Sequence, residues 1–278
     1  MRFLLTNDDG IFSEGLEALR TEFQNAGHEV VVVAPALQQS AQSHSITLYH
    51  PLVLRTVELP GGGSGLAVEG TPADCVKIGI HEIAPIRPDA CISGINNGSN
   101  TGLNIFYSGT VGGAFEAALH GIPSFAVSLD TKVVQDYAPA ARMARRVVEQ
   151  LMPRAEARTL FNVNIPNLLE DQIKGVRFCR QDVLPYQDAF ERRTDPRGRV
   201  YFWLKEEILH PDADAPRNGH AAFPPDQPQL KQGFIAVTPI LLEVTDYDRM
   251  KSLKDLSIDH RSTATSVRRA VSRRTSER

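Results

Sequence analysis

The chain has 278 residues, of which 42% are hydrophobic and 23% charged, and its formal net charge is −3. This length allows one large α/β domain or one domain with a smaller appendage, and the composition is too apolar for a disordered chain. The small net charge predicts no attraction to a nucleic-acid polymer or a membrane surface. No apolar stretch is long enough to span a membrane, and Asn7-Asp8-Asp9 interrupts the N-terminal apolar run too early for a signal peptide.

The first 35 residues predict a βαβ unit. Residues 2–6 form a short apolar strand, Ser13 can cap the following helix, and Gly27 can end it in the left-handed conformation. A second continuous apolar strand follows at 30–33. Strands that are apolar on both faces are typical of a parallel sheet covered by helices.

Strands and helices continue to alternate as far as residue 165. The predicted strands are 52–57, 88–93, 124–129 and 160–165, and the predicted helices begin near Pro72, at Ser108 and near residue 138. The sequence therefore predicts an α/β fold with a Rossmann-like, mostly parallel sheet flanked by helices.

Beyond about residue 175, charged and aromatic residues alternate on either side of Pro196-Arg197-Gly198, which predicts a protruding hairpin. A last strand is predicted at 234–237. We expect a catalytic core over 1–175, a hairpin-containing C-terminal part over 176–258 whose last strand returns to the core, and a disordered Arg/Ser-rich tail over 259–278.

The cysteine content indicates a reducing compartment. Cys75, Cys91 and Cys179 are odd in number, widely spaced and without a CxxC pair. This pattern argues against a disulfide framework and against a zinc site, so we expect a cytoplasmic protein.

Two adjacent carboxylates, Asp8 and Asp9, directly follow the first strand. Like charges repel where water is scarce, and a divalent cation bound by hard oxygen ligands removes that conflict. Ligands of open α/β sheets bind beyond the carboxyl ends of the strands, where this pair would lie. The alternative is a turn and helix-entry role, because Asp favours turns and N-caps.

Two further polar segments occupy similar places. Asn96-Asn97-Gly98-Ser99-Asn100 ends a predicted strand and supplies neutral oxygens, and Ser108-Gly109-Thr110 begins a helix, where free N–H groups suit a phosphate. Taken alone, the first segment is better explained as a polar turn and the second as ordinary helix capping. Together with Asp8 and Asp9 they indicate a cation site and an anion site at one sheet edge, as metal-assisted hydrolysis of a phosphate ester requires.

Other motifs narrow the function. The chain lacks GxGxxG after the first strand and lacks GxxxxGK[ST], which argues against a dinucleotide-binding fold and a P-loop NTPase. Asp74 could be catalytic or a helix N-terminal charge. We expect a solvated or capping role for His44 and a structural or solvent-facing role for Glu116.

The ordered motifs resemble the SurE family of 5′/3′-nucleotidases over about residues 1–250. The matching segments are Thr6-Asn7-Asp8-Asp9-Gly10, Val33-Ala34-Pro35 with Ser40, Gly70-Thr71-Pro72-Ala73-Asp74-Cys75-Val76, Ser93-Gly94-Ile95-Asn96 with Gly98 and Asn100, Tyr107-Ser108-Gly109-Thr110-Val111, Asn162-Val163-Asn164-Ile165-Pro166, Val237-Thr238-Pro239 and Thr245-Asp246-Tyr247.

The resemblance implies a metal-dependent phosphomonoesterase that hydrolyses nucleoside monophosphates, often with some exopolyphosphatase activity. It implies one Mg²⁺ or Mn²⁺ per subunit, bound by Asp8, Asp9, Ser40 and Asn96. It further implies that Asn96 and Ser108-Gly109-Thr110 hold the phosphate, and that Asp8, Asp9 and Asn96 are catalytic. Oxygen ligands of these kinds favour Mg²⁺ or Mn²⁺ over zinc.

The resemblance also implies association through the C-terminal part, as a homodimer or homotetramer. The net charge predicts no nucleic-acid or membrane partner. One departure from the family is that Gln38-Gln39 precede Ser40 where many relatives carry a basic residue, which bears on substrate affinity. Two alternatives stay open at this point. One is a non-catalytic nucleotide sensor on the same fold, and the other is a haloacid-dehalogenase-type phosphatase, which needs two Asp separated by one residue.

Overall fold

The computed structural model describes residues 1–83, 87–131, 136–183, 187–207 and 222–258. The strands within these ranges are β1 (Arg2–Thr6), β2 (Glu29–Pro35), β3 (Leu54–Glu58), β4 (Ser64–Val68), β5 (Ala90–Asn97), β6 (Ser124–Asp130), β7 (Leu160–Pro166), β8 (Val176–Phe178), β9 (Gln187–Thr194), β10 (Val200–Glu207) and β11 (Ile235–Ile240). The helices are α1 (Glu14–Asn25), α2 (Pro72–Ile78), α3 (Gly109–Leu119), α4 (Ala138–Leu151), α5 (Asp226–Lys231) and α6 (Tyr247–Leu253).

Nine of these strands form one sheet in the order β3-β4-β2-β1-β5-β6-β7-β11-β8. Neighbours run parallel except where β3 meets β4 and where β7 meets β11. The chain leaves β1 towards β2 on one side and returns to β5 on the other, so the strand order reverses at β1. A crevice opens beyond the carboxyl ends of the strands at such a point. The predicted mostly parallel α/β sheet is confirmed.

Helices cover both faces of the sheet because β1 is apolar on both. Phe3 and Leu5 pack in one cluster with residues of α1 and α4, whereas Leu4 packs in another with residues of α2 and α3. Phe23 of α1 is fully buried, and its ring meets that of Phe3 edge-on at a centroid distance of 4.8 Å. This double burial fixes the end of β1, and therefore the position of the two aspartates that follow it.

The predicted helix starts agree with the structure. The hydroxyls of Ser13, Thr71 and Ser108 cap α1, α2 and α3, and Gly27 follows α1 with a φ of +82°. The predicted hairpin is also present, as β9 paired antiparallel with β10.

Three strands differ from the prediction. The sequence suggested no strand at β8, which lies at the edge of the sheet beside β11. The sequence suggested no strand at β4, which lies between β2 and β3 in the sheet. β11 continues through Pro239 to Ile240, whereas we expected it to end at Val237. β8 pairs with β11 only as far as Val237, so the missing N–H of Pro239 leaves no sheet partner unsatisfied on that side.

The chain divides into two units after Leu242, and the structure describes residues 243–258 of the second. In the second unit, α6 begins at a cap in which Asp246 accepts a hydrogen bond from the backbone N–H of Arg249. The disorder predicted for 259–278 lies outside the described residues, and the boundaries at 175 and 258 stay a prediction. In the described part of the chain, no helix is long and apolar enough to cross a membrane.

Replacing Phe23 by Ala should lower the free energy of unfolding by about 3–5 kcal/mol, because it leaves a cavity between α1 and β1. Phe12→Ala is the matched control, since Phe12 is 56% exposed, and it should change stability by less than about 1 kcal/mol. Urea unfolding followed by circular dichroism measures both. Equal losses in the two variants would contradict this account of the core.

Candidate functional site

A cavity of about 520 Å³ lies at the carboxyl ends of the sheet strands. Most of the sequence-predicted site residues line it, namely Asp8, Asp9, Ser40, Asn96 and Ser108. Gly109 and Thr110 do not line it but contact Asp8. The cavity is also lined by Gln38, Ala41, Asn97, Asn100, Asn104, Tyr107, Phe190 and Leu204.

Asp8 is buried where β1 ends and α3 begins. Only 5% of it is exposed, and Thr110 donates a hydrogen bond from its hydroxyl to Oδ1. Burial raises the pKa of Asp8 to about 6, against the lowering effect of the Thr110 hydrogen bond and with a further rise caused by Asp9. The protein alone therefore provides too little favourable interaction to offset the cost of burying the ionised carboxylate.

Asp9 is half-buried and accepts a hydrogen bond of 3.3 Å from the backbone N–H of Asn97. Burial raises its pKa as well, although that hydrogen bond lowers it. Two neighbouring carboxylates whose charged forms are disfavoured are a setting that a bound cation would stabilise.

The donor set at the cavity suits a hard cation. Among the described residues, no group of three or more His, Cys, Asp or Glu could hold a metal ion, so a cation here would need the hydroxyl and amide oxygens of Ser40 and Asn96 besides the two carboxylates. Oxygen donors of these types fit Mg²⁺ or Mn²⁺. The residues present therefore fit the cation that the sequence predicts.

The N-terminus of α3 packs closely on Asp8 and on the loop that carries Ser40. The backbone N–H of Gln39 donates to the carbonyl oxygen of Asp8 at 2.7 Å. A Cβ at Gly109 would lie 2.8 Å from the Asp8 Cβ and 3.2 Å from the Gln39 carbonyl oxygen, so this position requires glycine. The Gln38 side-chain amide donates to the Ser40 hydroxyl at 2.9 Å.

Glu116 holds the loop that carries Ser40 at a second position, through His44. It is only 4% exposed and accepts hydrogen bonds from His44 at 2.6 Å, Lys77 at 2.7 Å and His120 at 3.0 Å. Burial alone would raise the pKa of Glu116, but the hydrogen bonds and charges of His44 and Lys77 outweigh it and lower the pKa to about 2. Glu116 is therefore structural rather than solvent-facing, and His44 is its partner rather than a solvated side chain.

Asp74 lies away from the cavity. It is buried, forms a capping box with Thr71 at the start of α2, and accepts hydrogen bonds from Thr47. Of the two roles that the sequence left open, these contacts favour the helix N-terminal charge.

A buried amide cluster holds Asn100 at the cavity. Its backbone N–H donates to Oδ1 of Asn164 at 2.8 Å, its side chain donates to Ser128 at 2.8 Å, and its carbonyl oxygen accepts from Asn162 at 2.7 Å. Asn162 and Asn164 are fully buried in β7. Two asparagines inside an apolar strand are the sequence signal for this cluster, because buried amides require partners.

Sequence reasoning missed the apolar lining of the cavity. Tyr107 directly precedes the Ser108 cap, and Phe190 and Leu204 reach the cavity from the hairpin β9–β10. The aromatic hairpin residues suggested only an interface, since nothing local indicated where the hairpin would lie.

The family model described as Survival protein SurE matches residues 3–188. The chain belongs to the SurE family. It is 42% identical to "5′-nucleotidase SurE" of Syntrophus aciditrophicus (strain SB) over 92% of this chain and 94% of that protein. It is 43% identical to "5′-nucleotidase SurE" of Symbiobacterium thermophilum over 92% and 98% of the two chains.

A solved structure of this family is also similar. The crystal structure of the SurE protein from Aquifex aeolicus matches with a TM-score of 0.77 and 37% identity, covering 92% of this chain and 99% of that one. The resemblance to the SurE family is thus confirmed.

Glu116→Gln should lower the free energy of unfolding at neutral pH. The pKa of Glu116 in the folded protein, about 2, is below its ordinary 4.5, so the ionised carboxylate stabilises the fold above about pH 4.5 and loses this effect as pH falls towards 2. Urea unfolding between about pH 7 and pH 3 should give a shallower acid-side decline in the variant than in the wild type. The exposed Glu58→Gln is the control; indistinguishable pH profiles for all three proteins would contradict the prediction.

Proposed function

We propose that Asp8, Asp9, Ser40 and Asn96 bind one Mg²⁺ or Mn²⁺ per subunit, and that at this site the chain hydrolyses nucleoside monophosphates to nucleoside and phosphate. The observation that carries the proposal is the pair of adjacent carboxylates at the sheet edge, both with raised pKa values, in one cavity with Ser40 and Asn96. The family and the 5′-nucleotidase relatives support the same reaction.

The bound cation would neutralise phosphate oxygens and activate water. The protein's own residues would position the groups that bind phosphate. Ser108-Gly109-Thr110 begins α3, whose N-terminal dipole favours negative charge at the cavity. The Asn96 amide can contribute to the same phosphate, while its Nδ2 donates to the Gly98 carbonyl oxygen at 2.7 Å and so orients its oxygen.

Thr110 serves this site through Asp8. Its hydroxyl is fully buried and donates to that carboxylate, which holds Oδ1 in one orientation. We therefore assign Thr110 two roles. It belongs to the first turn of the helix that binds phosphate, and it positions the cation ligand Asp8.

We also propose an oligomeric state, a cellular compartment and a second activity for the chain. Tyr201 and Trp203 are exposed on β10, at 40% and 59%, which supports a homodimer or homotetramer formed through the C-terminal part. Cys75, Cys91 and Cys179 are free and buried, in keeping with a reducing cytoplasm. Exopolyphosphatase activity would use the same phosphate end of the cavity.

Two alternative functions can be distinguished from the proposed hydrolysis. A haloacid-dehalogenase-type phosphatase is disfavoured because Asp8 and Asp9 are adjacent rather than separated by one residue. A nucleotide sensor would bind nucleoside monophosphates without releasing phosphate.

Purified protein should release phosphate from nucleoside monophosphates with Mg²⁺ or Mn²⁺ and stop when EDTA is added. Asp8→Asn should lower kcat/KM by more than about 100-fold, because it removes a charged cation ligand. Asp89→Asn is the matched control, since that carboxylate accepts a hydrogen bond from Arg2 at the opposite edge of the sheet. Binding without phosphate release would favour the sensor, and near-normal turnover of Asp8→Asn would overturn the ligand assignment.

Thr110→Val should raise the Mn²⁺ concentration needed for half-maximal activity by about 10- to 100-fold, because Asp8 loses the donor that orients it. Thr110→Ser keeps a hydroxyl and should stay close to the wild type. A metal titration at saturating substrate measures the effect. If both variants required the same Mn²⁺ concentration as the wild type, Thr110 would not act through Asp8.

A further inference from the structure

We propose that His81 and His120 bind a transition-metal dication, Zn²⁺, Ni²⁺ or Cu²⁺, at the C-terminal end of α3. Nε2 of His81 and Nδ1 of His120 lie 3.3 Å apart. His81 is exposed, and 28% of the His120 side chain is exposed, so an ion can reach the pair from solvent. Neither side chain lines the cavity, and this site would therefore be separate from the one proposed for hydrolysis.

The spacing of the two nitrogens suits a chelated metal ion. Nitrogen ligands lie roughly 2.0–2.1 Å from zinc, so two of them at a tetrahedral angle are about 3.3–3.4 Å apart. The ring centroids are 4.8 Å apart against 3.3 Å for the nitrogens, and this difference of 1.5 Å is less than the two ring radii that an in-line N–H···N bond would add. The nitrogens therefore face each other at an angle, as two ligands of one ion do.

Glu116 determines which nitrogen of His120 can be a ligand. A carboxylate only accepts hydrogen bonds, so Nε2 of His120, which lies 3.0 Å from Oε1 of Glu116, carries the proton of the neutral ring. Nδ1 then has the lone pair that a metal ligand needs. A carboxylate behind a ligating histidine orients the ring and makes it a stronger ligand, as in many metal sites. His81 becomes the second ligand when its proton moves from Nε2 to Nδ1.

Both histidines lie on backbone that packing restrains. His120 follows the last residue of α3, and the next residue, Gly121, turns the chain with a φ of +74°. His81 lies in the π-helical turn Gly79–Ile83, where Ile80 packs against the buried cluster between α2, α3 and the sheet. Such turns are rare and occur frequently at functional sites. A ligand pair on restrained backbone needs little reorganisation to bind an ion.

The surrounding charges determine the class of ion. Lys77 lies 2.7 Å from Glu116, on the same oxygen that His120 contacts. The Arg87 guanidinium donates to the His120 carbonyl oxygen at 2.5 Å. Because these cations offset the charge of Glu116, an ion attracted by charge alone, such as Mg²⁺, gains little here, whereas imidazole favours Zn²⁺, Ni²⁺ and Cu²⁺. No third His, Cys, Asp or Glu of the described ranges completes the group, so water would fill the other coordination positions.

Isothermal titration calorimetry of the full chain with Zn²⁺ tests the site. The titration is done at about pH 8, where a free imidazole is neutral, and with excess Mg²⁺ to occupy the oxygen donors at Asp8 and Asp9. Wild type should bind one Zn²⁺ outside the cavity. His81→Gln should weaken this binding by about 10-fold or more, because a single imidazole loses the advantage of two linked ligands.

Two variants and one spectroscopic measurement serve as controls. His50→Gln removes an exposed histidine outside the pair and should bind Zn²⁺ as the wild type does. Asp8→Asn should also keep the wild-type affinity, because the cavity carboxylates do not hold this ion. Nuclear magnetic resonance of isotope-labelled imidazole nitrogens gives a readout that a loss of stability would not mimic. Zn²⁺ should shift Nε2 of His81 and Nδ1 of His120 and leave the ring of His50 unchanged.

The outcomes are independent of the proposed hydrolysis. Weaker Zn²⁺ binding in His81→Gln but not in the two controls, with shifts at both rings, supports the site whether or not the chain releases phosphate. Equal affinity in His81→Gln and wild type would overturn it, as would a wild type that binds no Zn²⁺. A loss in Asp8→Asn as large as that in His81→Gln would assign the ion to the cavity and also overturn the proposal.

Discussion

The site depends on one contact, the burial of the Asp8 carboxylate against the first turn of α3. Removing a charge from water is costly unless partners are supplied, and the protein supplies the Thr110 hydroxyl to one oxygen of this carboxylate. The contact is close enough to require glycine at position 109. β1 is buried on both faces, and this burial restricts the position of Asp8 at the end of the strand.

Buried polar groups fix each loop around this contact. Glu116 holds the loop of Ser40 through His44, the asparagines of β7 hold Asn100, and Asp226 holds the turn before Tyr107. Each group is costly to bury without a partner and forms these hydrogen bonds only in this arrangement, which makes the loop positions specific. Loops supported in this way can keep cavity-lining side chains in place before a ligand arrives.

The sequence predicted those parts of the site whose positions are determined by neighbouring residues in the chain. Asp8 and Asp9 end a strand that its own apolar run specifies, and the Ser108 cap follows from the helix it begins. Phe190 could not be predicted, because its place in the cavity depends on where a hairpin 80 residues downstream of Ser108 lies in three dimensions. The same reason explains β4 and the end of β11, since strands of marginal propensity are decided by their neighbours in the sheet. Thr110 was predicted only as part of a phosphate site, and its contact with Asp8 needs the packing of α3 on β1.

The residues that line the cavity come from separate parts of the chain. Asp8, Asp9, Asn96 and Ser108 lie at the ends of β1 and β5 and at the start of α3, where sheet register and helix packing restrict the backbone. Phe190 and Leu204 lie on a two-stranded ribbon, which forms a sheet separate from the main one among the described residues. Substitution on that ribbon leaves the sheet register untouched, whereas substitution at the carboxylate end disturbs buried contacts on several elements. The architecture therefore allows the cavity residues of the hairpin to vary while those at the sheet edge stay constrained.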